Sequence, residues 1–377
     1  MAKPIKRRDK WYFLTLGAKW DRAVVPIYEA AARGRCVPLL KTLLTSHCKN
    51  DCKYCAFRAE RKCLRTAWNP QKLAEITMHL WSQGKIRGLF LSSSVAKDPD
   101  HVTEKQLEVL NNLRSMGYCG YIHLRIMPGT SRHFIREAVR LADRVGVNLE
   151  APNSDIFDEL CPDKGGFKEA ILKRLDWIIE EVISLKRKGE VKGRKFGFSR
   201  AGIDTQLIVG AVEDNDLQHI RTTEWLYKKL GLRRVYYSGF EPIPQTPLEK
   251  RPACPPWREY RLYQASFLIR DYGITSKELE TILNDKGFLP NMDPKRVLAK
   301  INPEIFPVDL NTASFHEIVR IPHIGPTIAK KILETRKTKP IKYSSDLEKI
   351  LGPHLTRKVL QYVEVKDKSL IQFQNNY

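Results

Sequence analysis

The segment Leu43-Leu-Thr-Ser-His-Cys48-Lys-Asn-Asp-Cys52-Lys-Tyr-Cys55-Ala-Phe57 places three cysteines at C-x3-C-x2-C spacing directly after an apolar run. Cysteine thiolates are the usual ligands of iron–sulfur clusters. A cubane cluster has four irons and this loop supplies three sulfurs, so one iron keeps an open position, as a catalytic metal site does. The pattern therefore predicts that Cys48, Cys52 and Cys55 bind a 4Fe-4S cluster with one open iron.

Other uses of these cysteines are less favoured. A zinc site needs a fourth ligand close by, and the candidates are His47 and Cys63. His47 is adjacent to Cys48 and is therefore poorly placed to join it on one metal. Disulfides would leave one of the three cysteines over, and eight cysteines in 377 residues do not make a disulfide scaffold. The cluster is favoured over zinc, and zinc over any other use.

The composition indicates a polyanionic partner. The formal net charge is +22 and the sequence pI is about 9.6, which is typical of proteins that bind nucleic acid. A lysine-rich surface that serves only solubility is the alternative. No stretch approaches the ~18 apolar residues of a membrane span, and the basic start has no apolar region behind it. We therefore predict a cytoplasmic protein with no membrane partner.

Short apolar runs alternate with helix-like segments from residue 37 to about residue 245, which predicts an α/β fold. The apolar runs lie at 37–45, 88–93, 120–127, 144–150, 205–210 and 234–240, and the helical segments at 70–81, 104–116, 131–142, 167–185 and 216–230. Such alternation demands parallel strands with right-handed crossovers. We expect a partial (β/α)6 parallel barrel with its active site at the carboxyl ends of the strands. The cysteine loop follows the first strand and belongs to that end.

The C-terminal region contains an internal repeat. Residues 324–333, Ile-Gly-Pro-Thr-Ile-Ala-Lys-Lys-Ile-Leu, recur 27 residues later as 351–360, Leu-Gly-Pro-His-Leu-Thr-Arg-Lys-Val-Leu. Glycine lets the backbone turn sharply, and the first N–H groups of the helix that follows form an anion site. The repeat predicts a small all-α domain with two basic hairpins.

This layout resembles the tandem helix-hairpin-helix (HhH) DNA-binding module. A capping box is predicted before each hairpin, Ser314 with Glu317 and Ser345 with Glu348. The family hairpin reads Gly-apolar-Gly, and here His323 replaces the first glycine, which weakens that hairpin or adds an imidazole for phosphate. Docking to another protein is the alternative use. The resemblance implies phosphate contacts without sequence readout from His323, Gly325, Thr327, Lys330, Lys331, Gly352, His354, Arg357 and Lys358, with longer-range attraction from Arg336.

The cysteine loop, with Tyr54 before its last cysteine, resembles the signature of the radical S-adenosylmethionine (radical SAM) superfamily. In that family the open iron binds the amino and carboxylate groups of SAM, and reductive cleavage gives a 5′-deoxyadenosyl radical. Over residues 36–365 the chain resembles radical SAM proteins of DNA modification and repair that end in an HhH domain. The resemblance implies two cofactors, a 4Fe-4S cluster and SAM. It also implies two partners, a nucleic acid, in the first place DNA, and a reducing electron donor protein.

The resemblance also implies a set of SAM contacts. Tyr54 would lie near the adenine, and three serines stand where the family has Gly-Gly-Glu. Residues on the fourth strand would reach the ribose or methionine part, and an isoleucine on the fifth strand would pack the adenine. The implied cofactor-binding residues are Tyr54, Ser92, Ser93, Ser94, Arg125, Asn148, Glu150, Gln206, Ile208 and Gly210. Cys161, as a hydrogen-atom donor, and Tyr237 are the catalytic candidates, although an inert buried thiol is the alternative for Cys161.

Four regions are expected along the chain. They are a basic N-terminal segment (1–35), a radical SAM barrel (36–250), a helical connector (251–305) and a tandem HhH domain (306–377). The predicted function is a radical SAM enzyme that modifies or repairs a base or sugar of a nucleic acid. The alternatives are an HhH DNA glycosylase and a non-enzymatic DNA-binding protein, each with a structural iron–sulfur cluster. The strand–helix alternation and the missing fourth cysteine argue against the glycosylase, and SAM cleavage would separate the enzyme from the non-enzymatic protein.

Overall fold

The computed structural model describes residues 27–32 and 35–367, so most of the predicted basic N-terminal segment lies outside the described residues. Two compact units make up the described chain. The first runs to residue 214 and includes 225–259, and the second comprises 215–224 and the chain from residue 260 onward. Most of the predicted connector therefore belongs to the same unit as the C-terminal repeat.

The first unit is built on a seven-stranded sheet whose strands follow one another in chain order. The strands are β1 (Ile27–Ala32), β2 (Arg35–Leu43), β3 (Gly88–Ser92), β4 (Tyr121–Arg125), β5 (Arg144–Gly146), β6 (Ile203–Val209) and β7 (Arg234–Gly239). Strands β2 to β7 are parallel, and β1 pairs antiparallel with β2. The predicted partial barrel of six parallel strands is confirmed, and β1 was not predicted.

Helices follow most of the strands at close to the predicted places. They are α1 (Pro70–Ser82), α2 (Pro99–Ser115), α3 (Arg132–Leu141), α4 (Ser154–Leu160), α5 (Lys173–Arg187), α6 (Asp216–Lys228), α7 (Pro256–Tyr272), α8 (Ser276–Glu280), α9 (Pro294–Ile301), α10 (Phe315–Ile318), α11 (Pro326–Thr338), α12 (Ser344–Leu351) and α13 (Pro353–Val359). Helix α2 begins earlier than predicted because Asp98 accepts from the backbone N–H of His101 and Pro99 fits the first turn. The helix predicted at 167–185 is a π-helical turn, Gly166–Leu172, continued by α5.

Strand β5 is much shorter than the predicted run 144–150. At Gly146 an added Cβ would lie 2.2 Å from the backbone oxygen of Asp204, so only glycine fits between β5 and β6. The chain then leaves the sheet and returns for one bridge, between Glu150 and Leu207. Glu150 has a φ of 67°, a left-handed conformation that is rare for a residue with a side chain. The break in β5 therefore lets residues 148–150 occupy the end of the barrel.

The second unit has an apolar core of its own, which includes Ile318, Val319, Ile321, Ile324, Ala329, Ile332, Ile341, Leu347, Val359 and Val363. The predicted capping box of Ser314 with Glu317 is confirmed at the start of α10. The second predicted box is wrong, because α12 already begins at Ser344 and Asp346 accepts from the backbone N–H of Tyr343. Among the described residues, no helix has the length and apolar character to span a membrane.

Candidate active site and nucleic-acid interface

A cavity of about 190 Å³ lies at the carboxyl ends of the parallel strands. The three cysteines of the loop after β2 line it together with almost all of the predicted cofactor-binding residues. The residues brought together are Cys48, Cys52, Cys55, Tyr54, Ser92, Ser93, Ser94, Arg125, Asn148, Glu150, Gln206 and Ile208. Alternate residues of a strand face the same side, which explains why Gln206 and Ile208 of β6 both reach the cavity. Their individual roles remain predictions.

The cysteine loop is held in shape by its own chain. The guanidinium of Arg65 donates to the backbone oxygens of Ser46, Phe57, Arg58, Ala59 and Arg61. The backbone N–H of Lys49 donates to the backbone oxygen of Val95 at 2.7 Å, and the backbone N–H of Lys53 donates to the backbone oxygen of Leu160 at 2.9 Å. Backbone groups on both sides of the cysteines are therefore fixed by bonds that involve no metal.

The donor arrangement disfavours zinc. Within residues 27–32 and 35–367, no three His, Cys, Asp or Glu side chains are placed to hold a single metal ion. A zinc site gathers four donors on one ion, whereas a cubane cluster spreads its thiolates over separate irons. Burial and the neighbouring Cys52 raise the pKa of the Cys55 thiol to about 12, and a metal that binds there would displace its proton. A three-thiolate loop without a fourth donor fits a cluster with one open iron.

Glu150 and Lys164 form a buried ion pair in the cavity wall. The Nζ of Lys164 lies 2.6 Å from Oε1 of Glu150 and 5.9 Å from the centre of the Tyr54 ring. Burial opposes the charge of Lys164, but the Cys161 and Cys52 sulfurs and Glu150 together hold its pKa well above the usual value. The other carboxylate oxygen of Glu150, Oε2, and Oδ1 of Asn148 are buried without a hydrogen-bond partner. These two acceptors are available to a ligand in the cavity.

The sequence reasoning missed Lys164. It lies in the turn Asp163-Lys164-Gly165-Gly166, where a lone lysine beside two glycines looks like an ordinary surface residue. A basic residue close after Cys161 was the only available signal, and only the fold shows that it meets Glu150.

A second buried charge network holds Arg125. Its guanidinium lies 2.9 Å from Oδ2 of Asp204, and His123 lies 3.0 Å from the same oxygen. Burial lowers the pKa of His123 to about 4, so its imidazole is neutral at pH 7. Burial alone would raise the pKa of Asp204, but the positive charge of Arg125 and the contact with His123 together lower it to about 2. Arg125 is thus held by a permanent carboxylate, and its NH1 group is buried without a partner.

Three predicted residues do not line the cavity. Cys161 is fully buried and is not among the residues that line the cavity, so its role as a hydrogen-atom donor stays a prediction, and the alternative of an inert buried thiol remains open. Tyr237 is buried on the opposite face of β7 from Ser238, which does line the cavity. Gly210 has a φ of 79° and donates its N–H to the carboxylate of Asp214, which makes it a turn residue at the end of β6.

The two hairpins of the repeat differ in backbone conformation. His323, where the family has its first glycine, has a φ of 70°, so it adopts the left-handed conformation that glycine favours. Gly325 has a φ of −93°, which any residue can adopt. In the second copy the residue equivalent to His323 is Ile350, which lies inside α12, and the turn is concentrated at Gly352 with a φ of 77°. The residue with left-handed backbone is therefore His323 in the first copy and Gly352 in the second.

Most of the predicted phosphate-binding side chains are exposed, namely His323, Thr327, Lys330, His354, Arg357 and Lys358. Lys331 donates to the backbone oxygen of Ile350, which joins α11 to α12. The guanidinium of Arg336 donates to the backbone oxygens of Leu310 and Ala313, and because these neutral partners leave its charge in place, its longer-range attraction of phosphate stays a prediction. Arg336 therefore holds the segment before α10 in place.

Exchanging His323 tests the strain in the first hairpin. Because its backbone is left-handed, His323→Gly should leave the free energy of unfolding within about 1 kcal/mol of the wild type. His323→Val introduces a branched side chain at this left-handed position and should lower the free energy of unfolding by about 2 kcal/mol or more. Urea unfolding gives both values. His354→Val, at an exposed helical site, is the control and should cost about 0.5 kcal/mol; equal losses from the two valine variants would contradict the assigned strain.

Comparisons with known proteins agree with the C-terminal prediction and carry less weight for the rest of the chain. A family model described as helix-hairpin-helix motif matches residues 304–364, which confirms the predicted module. No curated protein matches the sequence.

The solved structures that are similar to this chain include the following three. One is a crystal structure of HydG, a maturase of the [FeFe]-hydrogenase, with a TM-score of 0.47, 11% identity and coverage of 90% of this chain and 82% of that one. The HydG maturase from Carboxydothermus hydrogenoformans has a TM-score of 0.48 and 15% identity, with coverage of 85% of this chain and 80% of that one. Methylornithine synthase (PylB) has a TM-score of 0.47 and 12% identity, with coverage of 71% of this chain and 70% of that one. These values describe similarity of fold and transfer no activity.

Proposed function

We propose that this protein is a radical SAM enzyme that acts on a nucleic acid, in the first place DNA. The observation that carries the proposal is Glu150 beside the three-cysteine loop. It is buried, its backbone is left-handed, and one of its carboxylate oxygens has no partner. Backbone strain and a buried unpaired acceptor each cost stability, and such features concentrate at ligand sites.

The unpaired groups of the cavity match the groups that SAM carries. Its ribose hydroxyls and ammonium are donors, and Oε2 of Glu150 and Oδ1 of Asn148 are acceptors that lack donors. Its carboxylate is an acceptor, and NH1 of Arg125 is a donor that lacks one. Cys48, Cys52 and Cys55 would hold the cluster, and Ile208 would pack the adenine.

The chain supplies the surroundings of the chemistry. When bound, the reduced cluster and SAM together supply a 5′-deoxyadenosyl radical, and an electron donor protein supplies the electron. Apolar residues that include Leu43, Val95, Met127 and Phe240 line the cavity and exclude water. The ion pair of Lys164 with Glu150 fixes the carboxylate against the space that SAM would fill.

The second unit is proposed to hold the substrate. Residues 304–364 match the HhH motif, and the exposed cations of the repeat belong to a chain with a net charge of +22. Contacts with phosphate position a nucleic acid without reading its bases. We therefore expect weak sequence preference, with the reacting base or sugar selected in the barrel.

The test is anaerobic incubation of cluster-loaded protein with SAM, dithionite and duplex DNA. We expect 5′-deoxyadenosine in the reaction and a mass change in the nucleosides recovered from the DNA, both measured by mass spectrometry. Controls omit SAM or dithionite. Abasic sites formed without SAM would instead identify a glycosylase. DNA binding without 5′-deoxyadenosine under any condition would identify a binding protein with a structural cluster.

A further inference from the structure

Lys164 places a positive charge in the wall of the cavity that the three cysteines line. Its side chain is 11% exposed, and its Nζ lies 2.6 Å from Oε1 of Glu150, whose side chain is 3% exposed. A buried charge is costly unless an opposite charge compensates it, and Glu150 supplies that charge here. The pair is neutral as a whole, but each of its charges acts separately on any third charge placed nearby.

The turn that carries Lys164 is joined to the cysteine loop. The backbone N–H of Lys53, within that loop, donates to the backbone oxygen of Leu160 at 2.9 Å. The backbone N–H of Lys164 donates to the backbone oxygen of Cys161 at 3.2 Å, which closes the turn after α4. The Nζ of Lys164 lies 5.9 Å from the centre of the ring of Tyr54, the residue before the last cysteine of the loop. These contacts hold the ammonium against the segment that offers the three thiolates.

The side chain of Lys164 keeps its charge in this position. Burial opposes the charge, but the sulfurs of Cys161 and Cys52, followed by Glu150, hold the pKa of Lys164 well above its usual value. The ammonium is therefore present at neutral pH, and it lies within electrostatic reach of Cys52, a proposed cluster ligand.

Reduction of a cluster is a charging step, and nearby charges act on it. The donor protein loses one electron and the cluster gains it, so the cluster becomes more negative by one unit. Net charge, hydrogen bonds to the sulfurs and solvent exposure set the potential of this step. A cation stabilises the reduced form and an anion destabilises it, and both act more strongly in a buried site because water and salt screen them less.

We propose that the ammonium of Lys164 raises the reduction potential of the proposed cluster, against the opposing charge of Glu150, and so eases reduction by the donor protein. The inference rests on the proposed function, because it needs the cluster on the three cysteines. A purely structural role, in which the ion pair closes the wall of the cavity, is the alternative. That role predicts no change of the potential when the charge of Lys164 is removed.

The test is a redox titration of full-length protein loaded with iron and sulfide under anaerobic conditions, without SAM. The reduced cluster is measured by its EPR signal. Lys164→Gln removes the charge and keeps an amide that can donate to Glu150. At the wild-type midpoint potential we expect the ratio of reduced to oxidised cluster to fall about tenfold, which is a shift of about 59 mV for one electron. Lys164→Arg keeps the charge and should restore the wild-type ratio.

Two further variants separate charge from structure. Lys173→Gln is the matched control, because Lys173 lies 2.9 Å from Glu169 in an exposed pair that solvent screens, and it should keep the wild-type ratio. Glu150→Gln removes the opposing charge and leaves Lys164 in place. It should raise the ratio about tenfold, the opposite direction from Lys164→Gln.

The outcomes distinguish this role from the proposed function. Wild-type ratios in both Lys164→Gln and Glu150→Gln, or shifts of both in the same direction, would overturn the role of Lys164 and leave the proposed function intact. If Lys164→Gln does not take up a cluster, the Glu150→Gln ratio decides, since an increase supports the role and any other result overturns it. Wild-type protein that takes up no cluster would overturn both.

Discussion

Alanine at Cys48, Cys52 and Cys55 together is expected to leave the protein without iron and without the ability to cleave SAM. The three thiolates are the ligands that the loop offers, and among the described residues no three donors are gathered to hold a single metal ion instead. Loss of the cluster removes the electron source for cleavage. Wild-type protein, loaded with iron and sulfide under anaerobic conditions, should contain about four of each per chain, the composition of a cubane cluster. Iron and sulfide assays, with quantification of 5′-deoxyadenosine, give the result.

The matched control replaces Cys36, Cys63 and Cys119 with alanine. These three cysteines do not line the cavity, and Cys63 is the candidate fourth ligand of a zinc site. We expect full iron content and unchanged SAM cleavage from this variant. Iron retained by the Cys48, Cys52 and Cys55 variant, or lost from the control, would place the ligands elsewhere. Circular dichroism of the metal-free proteins shows whether the variants fold.

Lys164→Met is expected to destabilise the metal-free protein by about 3 kcal/mol or more, because it leaves the carboxylate of Glu150 buried without its partner. Combining it with Glu150→Gln removes both charges, so the double variant should recover much of the loss. Urea unfolding, followed by tryptophan fluorescence, measures the free energies.

An exposed pair provides the control for this experiment. Lys173 lies 2.9 Å from Glu169, both side chains are largely exposed, and Lys173→Met should change the stability by less than about 1 kcal/mol. Equal effects of the two lysine substitutions would mean that Lys164 and Glu150 are not a buried pair. A double variant as unstable as Lys164→Met alone would show that the lysine acts through packing rather than charge.

The parallel strands and the position of the cavity could be predicted from the sequence because each depends on local patterns. Apolar runs mark the strands, and loops that follow parallel strands gather at one end of a barrel. The resemblance to the radical SAM superfamily, rather than the strand pattern, implied that Tyr54, Glu150 and Ile208 belong to one site. The antiparallel strand β1 was missed because its sequence, Ile-Tyr-Glu-Ala-Ala-Ala, lacks the apolar run of the others.

Contacts between residues that are far apart in the sequence could not be predicted from local patterns. Arg125 and Asp204 lie on strands separated by β5, and the alternation of side chains shows which face they share but not that they pair. The hydrogen bond from the ammonium of Lys295 to the backbone oxygen of Ile324 joins two segments that looked like separate regions. The second hairpin was expected to match the first, but no glycine interrupts α12 before Gly352, so the helix continues through Ile350.

The bonds of Arg65 have a consequence for how the proposed cluster would be inserted. A small zinc domain is unfolded without its metal, so metal binding and folding are one event. Here five backbone oxygens on both sides of the cysteines are already tied to one guanidinium by bonds that need no iron. If the loop binds the proposed cluster, we therefore expect the metal-free protein to keep the backbone of the loop in the same shape, so that iron and sulfide can be added without refolding.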